Sequence, residues 1–251
     1  LRQVLTNLIS NAIKFTHEGL IRVEAKRIPN DKPSKLRIRV IVNGKGMTPA
    51  PFPRLTYAEA LERYGTDKPD LRNPLSLVDV TDIFAGSAFQ AFAGIAARAD
   101  GTVKAIPVKG IAATTPRRFY DEMIAFAQGV GAKGLGYIVC LEGEHRSPIA
   151  NYLDPERLAA LRRRCQLADG DVVFFIADRR RRAREIAAAV LPELGARLGL
   201  IEPDVFRFCW VVDFPMFERD EATGRIDFSH NPFSLPQGGM EALEQQDPLQ
   251  I

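Results

Sequence analysis

The chain changes character near residue 50, and that seam limits what it can fold into more than any other feature. The first 50 residues carry ten Lys and Arg against three Asp and Glu, a surplus of seven positive charges. Of the chain's 34 basic and 31 acidic residues, the other 24 and 28 lie beyond, so the remainder is net acidic by four. The formal charge of +3 therefore averages two unlike segments and is poor evidence for a nucleic-acid surface. Residues 48–53 place three prolines at the same seam, as a linker or extended entry does.

Periodicity separates the same two segments. Residues 1–16 set Leu1, Val4, Leu5, Leu8, Ile9, Ala12 and Ile13 at helical spacing, one stripe of an amphipathic helix. Residues 20–25 and 36–42 read as strands around a turn containing Pro29, Asn30, Asp31 and Pro33. This helix–strand–strand unit is too small to bury a core by itself. After the seam, residues 57–64 predict a short helix, with Thr56 as N-cap and Glu59 as its capping-box partner. From residue 75 to 200, β runs (77–80, 89–92, 103–108, 135–139, 172–177) alternate with helices (116–128, 155–164, 179–198). The apolar run FRFCWVVDF, 206–214, reads as a buried-looking strand, with 224–228 as its hairpin partner after a turn over 221–224, and without further sheet partners it is expected to expose apolar edges. The fold class is α/β (α+β), a mixed domain with flanking strands.

Composition is that of a globular chain, 46% hydrophobic and 26% charged, with no run near the ~18 apolar residues of a membrane span. The chain opens without an initiator Met or signal pattern, which predicts a cytoplasmic protein with a truncated start and no membrane partner. Cys140, Cys165 and Cys209 are widely spaced without a CxxC pair, so three reduced thiols are expected rather than a disulfide or zinc site.

Two motif sets carry chemistry. In the first, Asn7, Asn11 and Lys14 recur at helical spacing within NLISNAIKFT, so two amides and an ammonium can share one helix edge. Amide oxygens suit Mg²⁺ and an ammonium suits phosphate. By spacing alone, the preferred reading is Asn7 and Asn11 as solvated helix residues and Lys14 as a surface charge. The run resembles the N box of the histidine-kinase ATPase domain, which implies that Asn11 holds Mg²⁺ and Lys14 faces phosphate. The next family element, D-x-G-x-G-M, reads Val42-Asn43-Gly44-Lys45-Gly46-Met47. Gly44 and Gly46 are in place, but Val42 stands where the adenine-binding aspartate belongs. Loss of a charged acceptor costs about 1.5 to 3 kcal/mol. The family's glycine-rich lid and phosphorylatable histidine do not follow. Residues 1–47 are therefore expected to be a degenerate ATP-site remnant that does not bind nucleotide measurably.

The second set is PFPRLTYAEALERYGTDKPDLRNP, VDVTDIF, GAKGLGYI, WVVDFPMFE and HNPFSLP, in that order. Together these resemble bacterial-type aspartate–tRNA ligases over residues 51–251. The resemblance implies ATP-dependent activation of aspartate and its transfer to tRNA. It also implies an antiparallel class II catalytic sheet interrupted by an α/β insertion, Mg²⁺, and a homodimeric parent in the cytoplasm. It divides the chain into a kinase-like segment (1–47), a linker with the start of a partial catalytic domain (48–74), the insertion (75–200) and a further catalytic part (201–251). The anticodon-binding barrel and the arginines of the second and third class II motifs are not seen, so the chain is expected to be inactive by itself. His230, on a loop before Asn231-Pro232, aligns with a histidine beside the bound aspartate. Asp213, ending a strand, is expected to support that site rather than touch substrate.

The charged run Asp67-Lys68-Pro69-Asp70-Leu71-Arg72 is expected to pair internally. Arg157, Arg162 to Arg164, Arg179 to Arg182 and Arg184 are read either as tRNA phosphate contacts or as solvated helix faces balanced by acids, the second being preferred. No aromatic residues interleave them, so a stacking platform is not indicated. His17 and His145 are expected to be surface residues. Two other classes stay open: a sensor-kinase fragment, and a non-catalytic tRNA- or protein-binding module. Specificity between aspartate and asparagine tRNA is not legible.

Overall fold

The computed structural model describes residues 20–27, 36–43, 52–142, 144–219, 223–229, 236 and 238–250. The predicted 1–16 helix and the 29–33 turn lie outside them. The described residues fall in two compact units, one holding residues 1–51 and 203–208, the other residues 52–202 and 209–251.

The first unit contains β1 (Leu20–Arg27) and β2 (Leu36–Asn43), paired antiparallel from Leu20↔Asn43 to Arg27↔Leu36. Both predicted strands of the basic segment form, and they pair with each other.

The second unit opens with β3 (Arg54–Thr56) and α1 (Tyr57–Tyr64). It continues through β4 (Val78–Asp79), α2 (Thr81–Phe84), α3 (Gln90–Ala96), β5 (Gly101–Val108), α4 (Arg117–Gly129), β6 (Gly136–Leu141), β7 (Glu144–Arg146), α5 (Pro155–Arg164), β8 (Val172–Arg179) and α6 (Arg180–Arg197). The strands form one sheet in the order β4-β5-β8-β6-β7, and every neighbouring pair is antiparallel. Strands β5 and β6 run the same way with α4 between them, and β8 fills the gap in the opposite direction. This split β-α-β arrangement makes the layer α+β although helices and strands alternate along the chain.

Why β5 and β8 are so apolar follows from their position. They pair over eight residues, from Gly101↔Arg179 to Val108↔Val172, and are covered on both faces. Period-2 alternation sends Ile106, Val108, Phe174 and Ile176 to one face, against Met123 of α4 and Ile186, Val190 and Leu194 of α6. Val103, Ala105, Val173 and Phe175 go to the other, with Phe84 of α2 and Leu161 of α5. Phe174 and Phe175 are both fully buried.

One predicted strand is instead a helix. Residues 89–92 lie at the start of α3, where the Ala93 N–H donates to the Phe89 carbonyl at 3.0 Å. Phe89, Phe92, Ala93 and Ala96 share a 3.6-residue period. Phe92 meets Phe84 edge-on at 5.0 Å between centroids, so the pair of phenylalanines packs as a helix face.

The run 206–214 forms less strand than its apolar pattern predicts. Only β9 (Trp210–Val212) is a strand, and it pairs in parallel with β3 through Leu55↔Val211. The segment is not buried: Trp210 is 57% exposed, Phe208 45% and Phe206 38%. Its supposed partner, β11 (Ile226–Phe228), pairs instead with β10 (Phe217–Arg219). Asp213 explains the break, because its φ of +58° turns the chain out of strand geometry just before Pro215. Phe217 and Phe228 then stack at 4.9 Å across the new hairpin. Helix α7 (Gly239–Gln245) follows near the end of the described chain.

Candidate functional site

The best-defined polar constellation lies where α1 meets the sheet. The helix starts as its sequence predicts. Thr56 Oγ1 accepts from the Glu59 N–H at 3.1 Å, and Glu59 Oε2 accepts from the Thr56 N–H at 2.8 Å. It stops at Gly65, whose φ of +73° is the left-handed C-cap. A Cβ at Gly65 would lie 2.5 Å from the Arg184 carbonyl oxygen, so the turn rests directly on the backbone of α6.

Glu62 projects from this helix and uses both oxygens. Oε2 accepts from Lys104 Nζ on β5, and Oε1 accepts from Arg184 Nη2 on α6 at 2.7 Å. Lys104 also donates to Asp79 Oδ2 on β4 at 2.9 Å, across the Asp79↔Lys104 strand pair. Thr102 Oγ1 donates to the same carboxylate at 3.2 Å. The Lys104 side chain is 3% exposed, so its charge is stable there only because two acids flank it. Burial pushes the Glu62 carboxyl upward. The hydrogen bonds from Lys104 and Arg184 outweigh that and leave it below the usual carboxylate range. Asp79 follows the same logic, with Lys104 and the Thr81 N–H as its donors.

A buried acid, Asp171, organises loops. Asp171 accepts from the Ala168 N–H at 2.8 Å, the Gly110 N–H at 2.9 Å and Lys109 Nζ at 3.0 Å. Burial raises its pKa, and these three donors together bring it below the ordinary value. Sequence reading missed both constellations. The signal that could have found them is a charge beside an apolar run: Lys104 inside TVKAIPV, and Asp171 directly before VVFFIA.

The arginines are mostly committed to protein. Arg157 bonds Asp154 at 3.1 Å and the carbonyls of Ile83 and Ala85. Arg162 pairs with Asp169, Arg164 with Asp82, and Arg179 with Asp100. Arg181 and Arg182 both reach Glu185. Helix faces balanced by acids, the preferred sequence reading, describe them well. Asp70 and Arg72 form a two-point pair, Nη2–Oδ2 at 2.7 Å and Nε–Oδ1 at 2.9 Å, so the 67–72 run pairs internally as expected.

Cys140, Cys165 and Cys209 are all reduced thiols. Burial pushes the Cys165 thiol up to about 11, which makes it inert. His145 departs from the surface role expected of it. It lies on β7 opposite Cys140, its Nε2 is enclosed, and burial lowers its pKa. Among the described residues, no group of three His, Cys, Asp or Glu can hold a metal ion. No helix among them is long and apolar enough to cross a membrane.

Of the residues singled out from the sequence, Asp213 is described. It is exposed at the end of β9, and Phe214 beside it meets the Tyr57 ring of α1 at 5.0 Å. His230 lies outside the described residues, as do Asn7, Asn11, Lys14, Gly44, Gly46 and His17. Val42 is described in its backbone, paired with Ile21.

Comparison with known proteins agrees with both resemblances. Residues 92–187 match the GAD domain family, and residues 1–79 match the histidine kinase-, DNA gyrase B- and HSP90-like ATPase family. The chain is 50% identical over 208 residues to an aspartate–tRNA(Asp/Asn) ligase of Paramagnetospirillum magneticum, 83% of this chain and 24% of that protein. It is 52% identical over 208 residues to the aspartate–tRNA(Asp/Asn) ligase of Acidiphilium cryptum, 83% of this chain and 35% of that protein. It is 51% identical over 210 residues to the aspartate–tRNA ligase of Streptomyces coelicolor, 83% of this chain and 34% of that protein. The chain thus spans about a quarter to a third of the length of these relatives. A 208-residue match within 251 residues begins no later than about residue 44, so the two resemblances overlap across the seam.

Proposed function

We propose that residues 51–251 are a segment of an aspartate–tRNA ligase, comprising its α+β insertion and adjoining catalytic strands. The observation that carries this reading is identity near 50% over 83% of the chain, to relatives named for that activity. The GAD match over 92–187 falls within the five-stranded layer and supports the same reading. In this reading, residues 75–200 are the insertion, 48–74 are a linker with the start of the catalytic domain, and 201–251 are a further part of that domain. The chemistry is activation of aspartate with ATP and Mg²⁺, then transfer to tRNA, in a cytoplasmic homodimer.

His230 is the residue assigned to aspartate binding. Asp213 holds the end of β9 in the left-handed conformation and so aims the following chain. Neither supplies the cationic groups that adenylate formation needs, and no step is assigned to this chain alone. Asn7, Asn11, Lys14, Gly44 and Gly46 are the remnant of a nucleotide site, with Val42 in place of its adenine reader. The match of residues 1–79 to an ATPase family favours that origin.

A chimaera tests the ligase reading. Residues 51–251 should replace the matching segment of the Streptomyces coelicolor enzyme with aspartylation of tRNA retained, and His230→Ala should then raise the KM for aspartate. A folded chimaera without aspartylation would sink the reading. The chain by itself should show no aspartate-dependent ATP–pyrophosphate exchange. For the remnant, calorimetric titration with an adenine nucleotide should show no binding. Micromolar binding abolished by Asn11→Ala would overturn that assignment.

A further inference from the structure

The two chain segments that leave the five-stranded layer toward β3 and β9 run side by side. The Glu202 N–H donates to the Arg72 carbonyl at 3.2 Å, between the 65–77 segment and the end of the α6 connection. Two adjacent covalent links define an axis rather than a fixed orientation, so a layer attached only there could swing about it. What lies away from that axis is the cluster around Glu62. We propose that Glu62, Lys104, Asp79 and Arg184 form an ionic joint that fixes the layer against α1, with Glu62 as its positioning residue.

Four features of the geometry converge on this. The two oxygens of Glu62 bind different elements of the layer, Oε2 to β5 through Lys104 and Oε1 to α6 through Arg184, so one side chain ties α1 to a strand and a helix at once. Lys104 is 3% exposed and is held from two sides, by Glu62 and by Asp79 at 2.9 Å, which leaves its ammonium little freedom to move. Gly65, one helical turn away, packs on the Arg184 carbonyl, so the joint and the turn grip the same part of α6. The chain then comes back to the sheet beside the helix, where the Leu77 N–H donates to the Arg63 carbonyl at 2.8 Å.

The joint extends to the strand pair through α1. The capping box fixes Thr56 to Glu59 at 2.8 and 3.1 Å, and Thr56 ends β3, which pairs with β9. Residues 54–64 thus form one lever, with the joint at its far end and the β3–β9 pair at its near end. Ions held this way act in a partly desolvated setting, since the Glu62 and Asp79 side chains are 42% and 50% exposed and Lys104 is enclosed. Salt should therefore weaken the contact without abolishing it. The inference goes beyond the ligase reading and does not depend on it.

Hydrogen exchange measured by mass spectrometry on the full chain tests the joint. In Glu62→Gln, amides of residues 55–64 should exchange about tenfold faster, while those of 103–108 and 172–176 keep their protection. Equal acceleration throughout, or none, would overturn the proposal. Raising NaCl to 1 M should accelerate exchange of 55–64 in the parent chain and leave Glu62→Gln unaffected. Parent protection indifferent to salt would show that packing, not charge, holds the helix. Arg184→Gln keeps the Lys104 and Asp79 contacts and serves as the milder variant, with a smaller acceleration confined to the same segment. Acceleration spread into 103–108 and 172–176 in that variant would equally refute the joint.

Discussion

Strands β5 and β8 differ from β9 in what surrounds them more than in what they are made of. All three are apolar: each holds two Val, β5 and β8 add Ile, and β8 and β9 carry aromatic rings. Helices cover both faces of β5 and β8, and Phe174 and Phe175 are fully enclosed between them. Among the described residues strand β9 pairs with β3 alone, and Trp210 within it is 57% exposed. The layer builds its own core within one stretch of chain, with β5, β8 and β6 each paired on both sides. The β3–β9 pair buries Leu55 but leaves Trp210 exposed and Val211 and Val212 half-buried. The difference teaches that an apolar run states a demand for burial, and only the surrounding chain decides whether it is met.

The sharpest way to break that comparison is to remove one ring from each region. Phe175→Ala empties a site bounded by Phe84 at 5.3 Å and Phe92 at 6.1 Å and should cost about 3 to 5 kcal/mol in denaturant unfolding. Trp210→Ser should change stability by about 0.5 kcal/mol or less and reduce self-association seen by light scattering. Equal losses would mean that both regions belong to one core.

Smaller effects sharpen the picture. Gly65→Ala must adopt a φ of +73° against the Arg184 carbonyl, and about 1 to 3 kcal/mol should be lost by thermal unfolding. Asp154 caps α5 by accepting from the Arg157 N–H at 2.8 Å, so Asp154→Ala should cost about 1 kcal/mol. The smallest effect is a pH dependence. Asp171 is held below the ordinary carboxylate pKa of about 3.9, so its contribution is present above that value and is lost as pH falls through its folded pKa. Melting temperatures measured from pH 6 to 3 should fall less steeply in Asp171→Asn than in the parent chain.

Much of the layer is legible in the sequence because its rules are local. Thr56 and Glu59 announce their capping box three residues apart, and Pro155 opens α5 after its Asp154 cap. Continuous apolar runs at β5 and β8 say that both faces are covered. The failures come from competition between periods and from distance. Four residues at 89–92 fit both a strand and a helix turn, and packing against Phe84 and Phe175 decides for the helix. Residues 206–214 read as one long strand hairpinned to 224–228, because nothing local reports that β9 pairs in parallel with the distant β3. The Glu62–Lys104 contact joins positions 42 residues apart, which no pattern of spacing can reveal. Asp213 was legible as the end of a strand, though not its left-handed backbone.

Limited digestion with thermolysin, followed by mass measurement of the fragments, separates a self-contained layer from an open β3–β9 pair. The enzyme cuts beside exposed apolar residues, so cleavage should come first around Phe206, Phe208 and Trp210. A resistant fragment containing Val78–Arg197 should then persist, because β5 and β8 open only when the layer unfolds. Early cleavage within 103–108 or 172–176, with 206–214 left intact, would contradict the account.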